Sequence, residues 1–403
     1  MLRSMFSAIS GLKAHQTKLD TVGNNIANVN TVGFKSSQTV FQDTLSQVLG
    51  NGSAATETTG GTNPAQVGLG VQVAGITTNF SQGSTQSTNR STDFMISGDG
   101  FFVTQTGNGE QLYTRAGSFD FDSAGRLVTS NGAILQGWAA TDGKVDSNGA
   151  IGDLSIPYGS VMAPKASLTG GFTGNLSSAA EVGDAVESQI TMYDALGNPQ
   201  QITAKYTKTA TDTWEVTLTG ADGDLATGTL EFDPSTGALT DGGSVTFTPT
   251  GNDSWTGDVT VDLSSLTQYS SGSSLKSTGT DGYASGTLQS FSLSSDGTVV
   301  GVYSNGLRED IGKLALATFA NPSGLEKAGE SSYRVGNNSG AATVGAAGVG
   351  GAGTLTAGAL EMSNVDLASE FTDLIIAQRG FQANSRVITA SDEILQDLVQ
   401  LKR

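Results

Sequence analysis

Apolar residues recur every 3.5 positions, on average, at both ends of this 403-residue chain. Near the N-terminus the steps alternate between three and four residues, and the apolar members of the series are Leu2, Met5, Ile9, Leu12, Leu19 and Ile26. Near the C-terminus the series is Leu367, Leu374, Phe381, Ile388 and Leu395, flanked by Phe371 and Leu398. This period is typical of helices that pack along one narrow seam against a partner. The pattern therefore predicts two terminal helices that meet.

Capping residues set the expected limits of both helices. The first helix is predicted over residues 4–28, because Ser4 or Ser7 can cap its start and an Asn-rich stretch with Gly33 follows its end. The second helix is predicted from Asp366, which lies in a Ser-Asn-Val-Asp capping sequence, to about residue 401. Gly11 lies inside the first helix, where a glycine costs about 1 kcal/mol relative to alanine.

Between the two ends the hydrophobic period changes from helical to two. Short apolar runs begin near residue 67, and turn signals such as Asn108-Gly109 and Asn131-Gly132 separate them. Short strands with turns at this spacing are typical of an all-β sandwich or barrel. A second β-rich block follows, and after it the strand and turn pattern of the first block returns. The sequence thus predicts a second β domain inserted into the first.

The predicted fold class is mainly β with terminal α-helices, which form a coiled-coil-like helical core domain beside the two β-rich domains. The predicted domains are a discontinuous helical core at 1–35 and 360–403, a linker region at 36–66, a discontinuous first β domain at 67–149 and 279–345, an inserted outer β domain at 150–278, and a Gly-rich linker at 346–359.

Composition and charge exclude several classes of partner. The net charge is −18, only 14% of residues are charged, and no basic run occurs. Nucleic-acid binding needs Lys and Arg to replace phosphate counterions, so no nucleic acid is expected as a partner. No apolar stretch is long enough to cross a bilayer, and Ser4, Ser7 and Ser10 interrupt the apolar residues around Arg3. We therefore expect neither membrane insertion nor a cleaved signal peptide.

Catalytic chemistry has little support in the sequence. The chain has no cysteine and one histidine, His15, which lies outside the seven-residue series and is expected on the helix surface. Gly348–Gly353 fits a dinucleotide-binding spacing, but it lies in a Gly/Ala-rich stretch without a βαβ context. Asp120–Asp122 has too few ligands for a calcium loop, so a β-turn is expected there. No catalytic residue, cofactor or metal site is predicted, and the chain is not expected to be an enzyme.

Two terminal motifs resemble a known family. The N-terminal segment 23–35 is similar to the signature of bacterial flagellar rod and hook axial proteins; its motif residues are Asn24, Asn25, Ala27, Asn28, Thr31, Gly33, Phe34 and Lys35. The C-terminal segment is similar to the matching signature at the other end; its motif residues are Asn364, Val365, Asp366, Gln378, Arg379, Gln382, Ala383 and Asn384. The block 68–137 resembles the β domain that the family shares.

The resemblance implies a structural, non-enzymatic subunit that assembles into a helical tube. Asp281-Gly282-Tyr283 and Gly301–Gly306 resemble hook rather than distal rod proteins, and the inserted β domain favours the same choice. A hook subunit forms a curved, flexible tube that transmits motor torque from rod to filament. The alternatives are a distal rod protein, a secreted β-rich adhesin and, with less support, an acidic hydrolase.

The resemblance also implies partners and a location. The partners are further copies of the chain, the distal rod protein, the hook cap protein, the hook–filament junction protein, the hook-length control protein and the flagellar export apparatus. The location is the extracellular hook, reached without a cleaved signal.

The apolar seams lead to an expectation about the isolated chain. Two long helices with narrow seams and few charges have little to bury alone, so we expect them to be frayed until copies pack together. The seam residues of both helices are the predicted subunit interface.

Overall fold

Two long helices lie at the ends of the chain. The computed structural model describes residues 2–400, apart from 55, 56, 58, 142, 222 and 250–253. Helix α1 is Leu2–Ala27 and helix α2 is Leu367–Gln400, each close to its predicted limits. Asp366 caps α2, because its carboxylate accepts a hydrogen bond from the Ala368 N–H at 2.9 Å. The side chains of Leu2 and Leu398, which belong to the predicted seams, lie outside the described residues.

The chain between the helices consists mostly of strands. In chain order they are β1 Ser37–Asp43, β2 Ser46–Gly50, β3 Ala65–Gly68, β4 Val71–Thr78, β5 Thr85–Ser87, β6 Phe94–Ser97, β7 Phe101–Gln105, β8 Gln111–Thr114, β9 Asp120–Phe121, β10 Leu127–Val128, β11 Ile134–Thr141, β12 Lys144–Val145, β13 Gly152–Asp153, β14 Val161–Met162, β15 Thr169–Ser177, β16 Ala185–Tyr193, β17 Pro199–Ala210, β18 Thr213–Gly220, β19 Gly223–Phe232, β20 Leu239–Asp241, β21 Ser244–Phe247, β22 Val259–Asp262, β23 Leu266–Tyr269, β24 Ser274–Thr280, β25 Gly286–Leu293, β26 Thr298–Tyr303, β27 Arg308–Thr318, β28 Glu326–Gly329, β29 Ser332–Arg334, β30 Thr343–Ala346, β31 Thr354–Ala357 and β32 Ala359–Glu361. The predicted fold class, mainly β with terminal helices, is confirmed.

The chain divides into two compact units. The first comprises Met1–Ile156, Phe291–Val300 and Asp310–Arg403, and the second comprises Pro157–Ser290 and Gly301–Glu309. The second unit thus interrupts the first in the sequence. The first unit contains both terminal helices together with β strands. The finer predicted division of this unit into a helical core and a separate β domain stays a prediction.

The first unit is built around an antiparallel sheet. Its neighbouring strands follow the order β27-β11-β7-β8-β29-β28. One core cluster of this unit consists of Phe101, Val103, Tyr113, Trp138, Ala315, Ala317, Leu325, Tyr333 and Ala346. Burying these apolar side chains stabilises the unit at about 25 cal/mol per Å² of apolar surface.

The second unit has a separate core between two five-stranded sheets. One sheet has the order β16-β17-β18-β19-β20, and the other has the order β21-β22-β15-β23 with β24 beside β15. Alternate residues of β18 point inward, and Trp214, Val216 and Leu218 are fully buried. This period-two pattern is the one that predicted β-structure for residues 150–278.

The prediction of a linker at 36–66 is wrong. Strand β1 pairs antiparallel with β4, and β2 pairs antiparallel with β3. The Thr44 N–H donates to the Gly70 carbonyl at 3.0 Å, so the two pairs form one continuous hairpin, here called the ribbon (residues 37–50 and 65–78). Backbone pairing forms the strands of the ribbon, and the stretch rich in Gly, Thr and Asn lies between its two arms, at residues 50–64.

The linker predicted at 346–359 is also wrong. Strand β31 pairs with β6, and β32 pairs with β5. Gly350 and Gly351 have φ values of 63° and 87°, which few other residues adopt, and they form the turn before β31. A Cβ atom at Gly353 would lie 2.3 Å from the Ser97 carbonyl oxygen, so only glycine allows this close approach. The glycines therefore shape the turn that connects β30 to β31.

None of the helices in the described part of the chain is long and apolar enough to cross a membrane.

Candidate subunit interface

The two terminal helices pack against each other in antiparallel orientation. Along the pair, Gly11 lies against Asn384, His15 against Gly380, Lys18 pairs with Asp373, and Asn25 bonds to Glu370. Helix α1 also packs on the ribbon, where the Thr39 hydroxyl donates to the Thr21 hydroxyl at 3.0 Å. The prediction that the two ends meet is confirmed. Each helix covers part of the other within one chain, and the expectation that both are frayed until copies pack together stays a prediction.

The face of α1 that is buried inside the chain differs from the predicted seam. Most of the buried residues of α1 are small or polar: Ala8, Gly11, Ala14, Thr21, Val22 and Asn25. Small side chains let the backbones of two helices approach closely, and Gly11 contacts Asn384 for this reason. Of the predicted seam, Met5, Ile9, Leu12, Leu19 and Ile26 are only half-buried. The seam therefore retains apolar surface after α1 has packed within its own chain.

Helix α2 uses part of its predicted seam against α1. Ala377 and Ser391 are buried, and Leu374, Phe381, Ile388 and Leu395 are half-buried. Leu367 and Phe371, which were predicted at the interface, are 39% and 50% exposed. Four further apolar residues of α2 that the sequence analysis did not select are also exposed: Ile375, Ile376, Val387 and Ile394. Large exposed apolar side chains on one helix make this surface a candidate for contact with another chain, and the interface role of Leu367 and Phe371 stays a prediction.

His15 lies in the contact between the helices, not on the open surface as expected. Its ring meets Phe41 of the ribbon edge to face, with ring centroids 5.7 Å apart. A Cβ atom placed on Gly380 would lie 2.5 Å from two atoms of the imidazole. Glycine at position 380 thus makes room for the histidine ring.

We expect Gly380→Ala to lower the free energy of unfolding by about 1–3 kcal/mol, because the methyl group overpacks the contact with His15. His15→Ala in the same chain should restore part of the loss. The control is Gly23→Ala, since a Cβ there meets nothing within 4 Å and the helix gains up to about 1 kcal/mol. Urea unfolding of these three variants and of the unchanged chain measures all of these effects. A double variant no more stable than Gly380→Ala would contradict the proposed contact.

The environment of His15 also makes the helix pair sensitive to pH. Burial, and to a lesser extent the charge of Lys18, lowers the pKa of His15 below its ordinary value of 6.5. Its Nδ1 atom is buried and has no hydrogen-bond partner among the described residues. Protonation therefore places an unpaired charge in the contact. Folding lowers the pKa of His15. The stability that its neutral form gives the helix pair is therefore complete above pH 6.5, and it is lost as the pH falls through the folded pKa.

We accordingly expect the thermal midpoint of the chain to fall between pH 7 and pH 5 by more than that of the His15→Gln variant. Burial raises the pKa of Glu370, so that carboxyl group acts in the opposite direction at lower pH in both proteins. The difference between the two proteins therefore isolates His15. Identical pH profiles would contradict this assignment.

A buried charge cluster joins the N-terminal motif to the segment before α2 and to Arg115, which follows β8. Lys35 Nζ donates to Glu361 Oε1 at 2.6 Å, and Arg115 Nη1 lies 3.4 Å from Glu361 Oε2. All three side chains are at most 2% exposed. Burial lowers the pKa of Lys35, while the hydrogen bond and charge of Glu361 act in the opposite direction. The one carboxylate thus compensates two buried cations.

The backbone around this cluster is satisfied as well. Lys35 Nζ also donates to the Ser81 carbonyl at 2.7 Å, and the Gly83 N–H donates to Glu361 Oε1 at 2.9 Å. The Gly33 N–H donates to the Glu361 carbonyl, and Gly33 has a φ of 67°, which explains glycine at that motif position. The N-terminal motif therefore folds directly onto the segment that precedes α2.

Two asparagines of the motifs connect the helices to the ribbon. The buried Asn25 side chain bonds both backbone groups of Ser37, at 2.8 and 3.0 Å, and donates to Glu370 at 2.9 Å. Asn364 accepts from the Ser36 N–H at 2.8 Å and donates to the Asn79 carbonyl at 2.8 Å. These residues act within one chain, where they fix α1, the ribbon and α2 to each other.

The other motif residues fall into three groups. Asn24, Asn28 and Thr31 bond one another in the turn after α1. Ala27 is exposed at the helix end, Phe34 contacts Lys327 through its ring, and Val365 lies half-buried before α2. Gln378, Arg379, Gln382 and Ala383 are exposed on α2. That these four residues of α2 contact another chain stays a prediction.

The sequence analysis missed Glu361 and the roles of Arg115 and Lys35 as buried partners. A usable signal existed, because Glu361 interrupts the apolar run Ala359-Leu360 before Met362 in a chain that is poor in charge. A lone acid in such a run indicates a buried counter-charge elsewhere.

No group of three or more His, Cys, Asp and Glu residues that could hold a metal ion occurs among the described residues. Asp122, at the site of the suspected calcium loop, instead forms a turn: its carbonyl accepts from the Gly125 N–H at 3.0 Å, and its carboxylate pairs with Arg126 at 2.7 Å. The β-turn predicted there is confirmed.

Comparison with known proteins assigns the class. Four family models match the chain in order: flagella basal body rod protein at 5–35, flagellar hook protein FlgE/F/G D1 domain at 95–168, flagellar basal body protein FlaE D2 domain at 175–283, and flagellar basal body rod FlgEFG protein C-terminal at 356–401. These models define the flagellar rod and hook proteins as a class, and they include both ends of the chain.

Full-length relatives narrow the assignment. The chain is 39% identical to the flagellar hook protein FlgE of Borreliella burgdorferi, over all of both chains, and 37% identical to that of Salmonella typhimurium, over 99% of this chain and all of the relative. It is 36% identical to the flagellar basal-body rod protein FlgG of Bacillus subtilis, over all of both chains. The chain belongs to the flagellar hook protein FlgE family.

A solved structure supports the fold. The crystal structure of the Helicobacter pylori flagellar hook protein FlgE2 matches with a TM-score of 0.51 at 14% identity, over 62% of this chain and 93% of the other.

Proposed function

We propose that this chain is the repeating subunit of the flagellar hook and polymerises into a curved, flexible tube that transmits motor torque from rod to filament. The observation that carries this proposal is the seam of α1. Leu12 and its seam neighbours keep accessible apolar surface although α1 is already packed on α2 and the ribbon. Copies of the chain that bundle through these seams bury the remaining surface.

Exposed apolar side chains on α2 also support bundling between copies. Phe371 and Ile375 are half-exposed on α2, so the second helix also carries apolar surface away from α1. A helix pair whose apolar surface extends over more than one side has contact area for more than one neighbour, as a closed tube requires. The terminal helices form the inner wall of the tube in this proposal, and the β domains face outward.

In this proposal the second unit allows the tube to bend. A hook that rotates while bent must change the spacing between neighbouring subunits once per turn. The chain is only 14% charged and has a polar, Gly-rich sequence, and weak polar contacts slide more readily than large apolar interfaces. Removal of the second unit would test this role, and unchanged curvature and stiffness of the tubes would contradict it.

The remaining functional expectations follow from the same proposal. The tube would contact the distal rod protein at one end and the hook cap protein and the hook–filament junction protein at the other. The export apparatus would deliver the chain to the extracellular hook without a cleaved signal, and the length-control protein would end growth. The chain would act as a structural subunit and not as an enzyme.

Trimming the chain ends tests the function directly. Full-length protein at high concentration should form curved tubes in negative-stain electron microscopy, and variants that lack residues 1–30 or 365–403 should form none. Straight tubes from the full chain would favour the distal rod, for which the relative named FlgG is the precedent. A stable monomer that binds a glycan would favour an adhesin.

A further inference from the structure

Five Asn-Gly pairs occur in the chain, and their hydrogen bonds differ. The pairs are Asn51-Gly52, Asn108-Gly109, Asn131-Gly132, Asn148-Gly149 and Asn305-Gly306. Asn-Gly is a turn sequence, but asparagine is also a chemically labile residue. The backbone nitrogen that follows an asparagine can attack its side-chain amide, and glycine has no Cβ to hinder the approach. The hydrogen bonds of the glycine nitrogen therefore affect how long each pair survives.

Four of the five pairs lie in turns that hold this nitrogen. In each turn the glycine N–H donates to the carbonyl three residues earlier, which is the bond that closes a β-turn. The acceptors, in chain order, are Thr106 at 2.9 Å, Thr129 at 2.9 Å, Asp146 at 3.4 Å and Tyr303 at 2.9 Å. One asparagine side chain is also held, because Asn305 donates to the Ala284 carbonyl at 2.9 Å. Attack by the nitrogen in these pairs first requires the turn to open.

The pair Asn51-Gly52 is arranged differently. It lies between the end of β2 and the bridge from Ser53 to Thr62, and both of its residues are exposed. Ser53 and Thr62 exchange their backbone hydrogen bonds at 3.0 Å, so the adjacent Gly52 N–H points away from the opposite strand. Within the described part of the chain, this N–H donates to no acceptor and the Asn51 side chain forms no hydrogen bond. Neither reacting group is therefore held.

We propose that Asn51 is a site of spontaneous deamidation that reacts faster than the asparagines of the other four pairs. The Gly52 nitrogen loses its proton to water and forms a bond to Asn51 Cγ. The bond from Cγ to the amide nitrogen breaks, and ammonia leaves with a proton taken from water. Water then opens the succinimide ring at one of its two carbonyl carbons, which gives aspartate or isoaspartate. The inference concerns the single chain and does not depend on the proposed function.

The two products change the end of β2 in different ways. Both add a negative charge to a chain whose net charge is −18. Isoaspartate also carries the main chain through its side-chain carbon, which inserts an extra atom before the bridge from Ser53 to Thr62. An insertion of this kind disrupts a strand ladder locally. The backbone bonds of this bridge, at 3.0 Å, should therefore loosen in the isoaspartyl chain and not in the aspartyl chain.

Peptide mapping of aged protein tests the site, because trypsin separates the five pairs. Cleavage after Lys and Arg places them in the peptides 36–90, 91–115, 127–144, 145–165 and 277–308. The folded monomer is incubated at neutral pH and digested under mildly acidic conditions. Mass spectrometry then follows the replacement of the amide NH₂ by OH, and fragmentation assigns it to Asn51. We expect Asn51 to react at least about fivefold faster than the other four, since their turns must first break a hydrogen bond.

The same incubation in urea shows whether the fold causes the difference. Each of the five asparagines follows Gly or Ser, so the five rates should become similar once the turns are open. Equal rates in the folded chain, or a faster reaction at another pair, would overturn the assignment. An unchanged fivefold preference in urea would overturn its structural cause.

Variants separate the chemistry from its consequence. Asn51→Gln must close a larger ring, so the early deamidation of peptide 36–90 should disappear, while Asn108→Gln should leave it unchanged. Both variants should keep the wild-type unfolding midpoint, because both side chains are exposed. Hydrogen exchange at Ser53 and Thr62 should be faster in the aged chain than in fresh Asn51→Asp. Equal exchange in these two proteins would contradict the proposed effect of isoaspartate on the bridge.

Discussion

Replacing Glu361 by alanine should lower the free energy of unfolding of the first unit by about 3–5 kcal/mol. The substitution leaves Lys35 and Arg115 buried without a counter-charge, and burial of an unpaired charge is among the most destabilising changes a protein can undergo. The Gly83 N–H also loses its acceptor. Urea unfolding followed by the fluorescence of Trp138, which lies in the core of this unit, measures the loss.

The matched control for Glu361→Ala is an ion pair at the surface. Asp373 pairs with Lys18 at 2.9 Å, but its side chain is 41% exposed. Asp373→Ala should therefore cost at most about 1 kcal/mol, because water screens exposed pairs. Equal losses in the free energy of unfolding would show that the buried cluster stabilises the chain no more than the exposed ion pair does.

The second large effect concerns assembly. Leu12→Asp should raise the critical concentration for tube formation at least about 100-fold, the equivalent of 2.7 kcal/mol, because it places a charge in the seam that copies of the chain bury. The isolated chain should stay folded, since Leu12 is only half-buried there. Light scattering gives the critical concentration, and circular dichroism reports the fold of the monomer.

Two comparisons make this result specific. Lys13→Gln changes the net charge by the same amount on the exposed neighbouring position and should leave assembly unchanged. Ala14→Asp affects a residue that is 3% exposed, so it should unfold the helix pair in the monomer itself. If Leu12→Asp also unfolds the monomer, the seam serves packing within the chain and the proposed interface is wrong.

The sequence predicted the elements that depend on apolar periodicity. Helices α1 and α2 lie close to their expected limits, because seven-residue spacing and the Asp366 cap are local signals. The inserted β-rich block also followed from its alternating pattern, as Trp214, Val216 and Leu218 illustrate. The signatures at the two ends likewise predicted the family to which the chain belongs.

Features that depend on distant contacts escaped prediction. The sequence could not reveal that α1 would turn its small residues, such as Ala14, inward and leave Leu12 partly outside, since that choice depends on the shape of α2 and the ribbon. His15 was expected at the surface because nothing near it in sequence indicates Gly380 or Phe41. The first arm of the ribbon, residues 37–50, was predicted as a linker because it shows little apolar pattern, whereas β-structure was predicted from residue 67 onward.

The antiparallel pairing of α1 with α2 has a consequence for the order of folding. Lys18 and Asp373 are 355 residues apart, and closing a loop of this length in an unfolded chain costs about 5 kcal/mol of entropy. Once the β body has folded, Gly33 is bonded to Glu361, and only two short arms remain to be joined. We therefore expect the helix pair to form after the β strands. With this order of folding, a chain still being synthesised lacks the helix-pair surface through which it would polymerise.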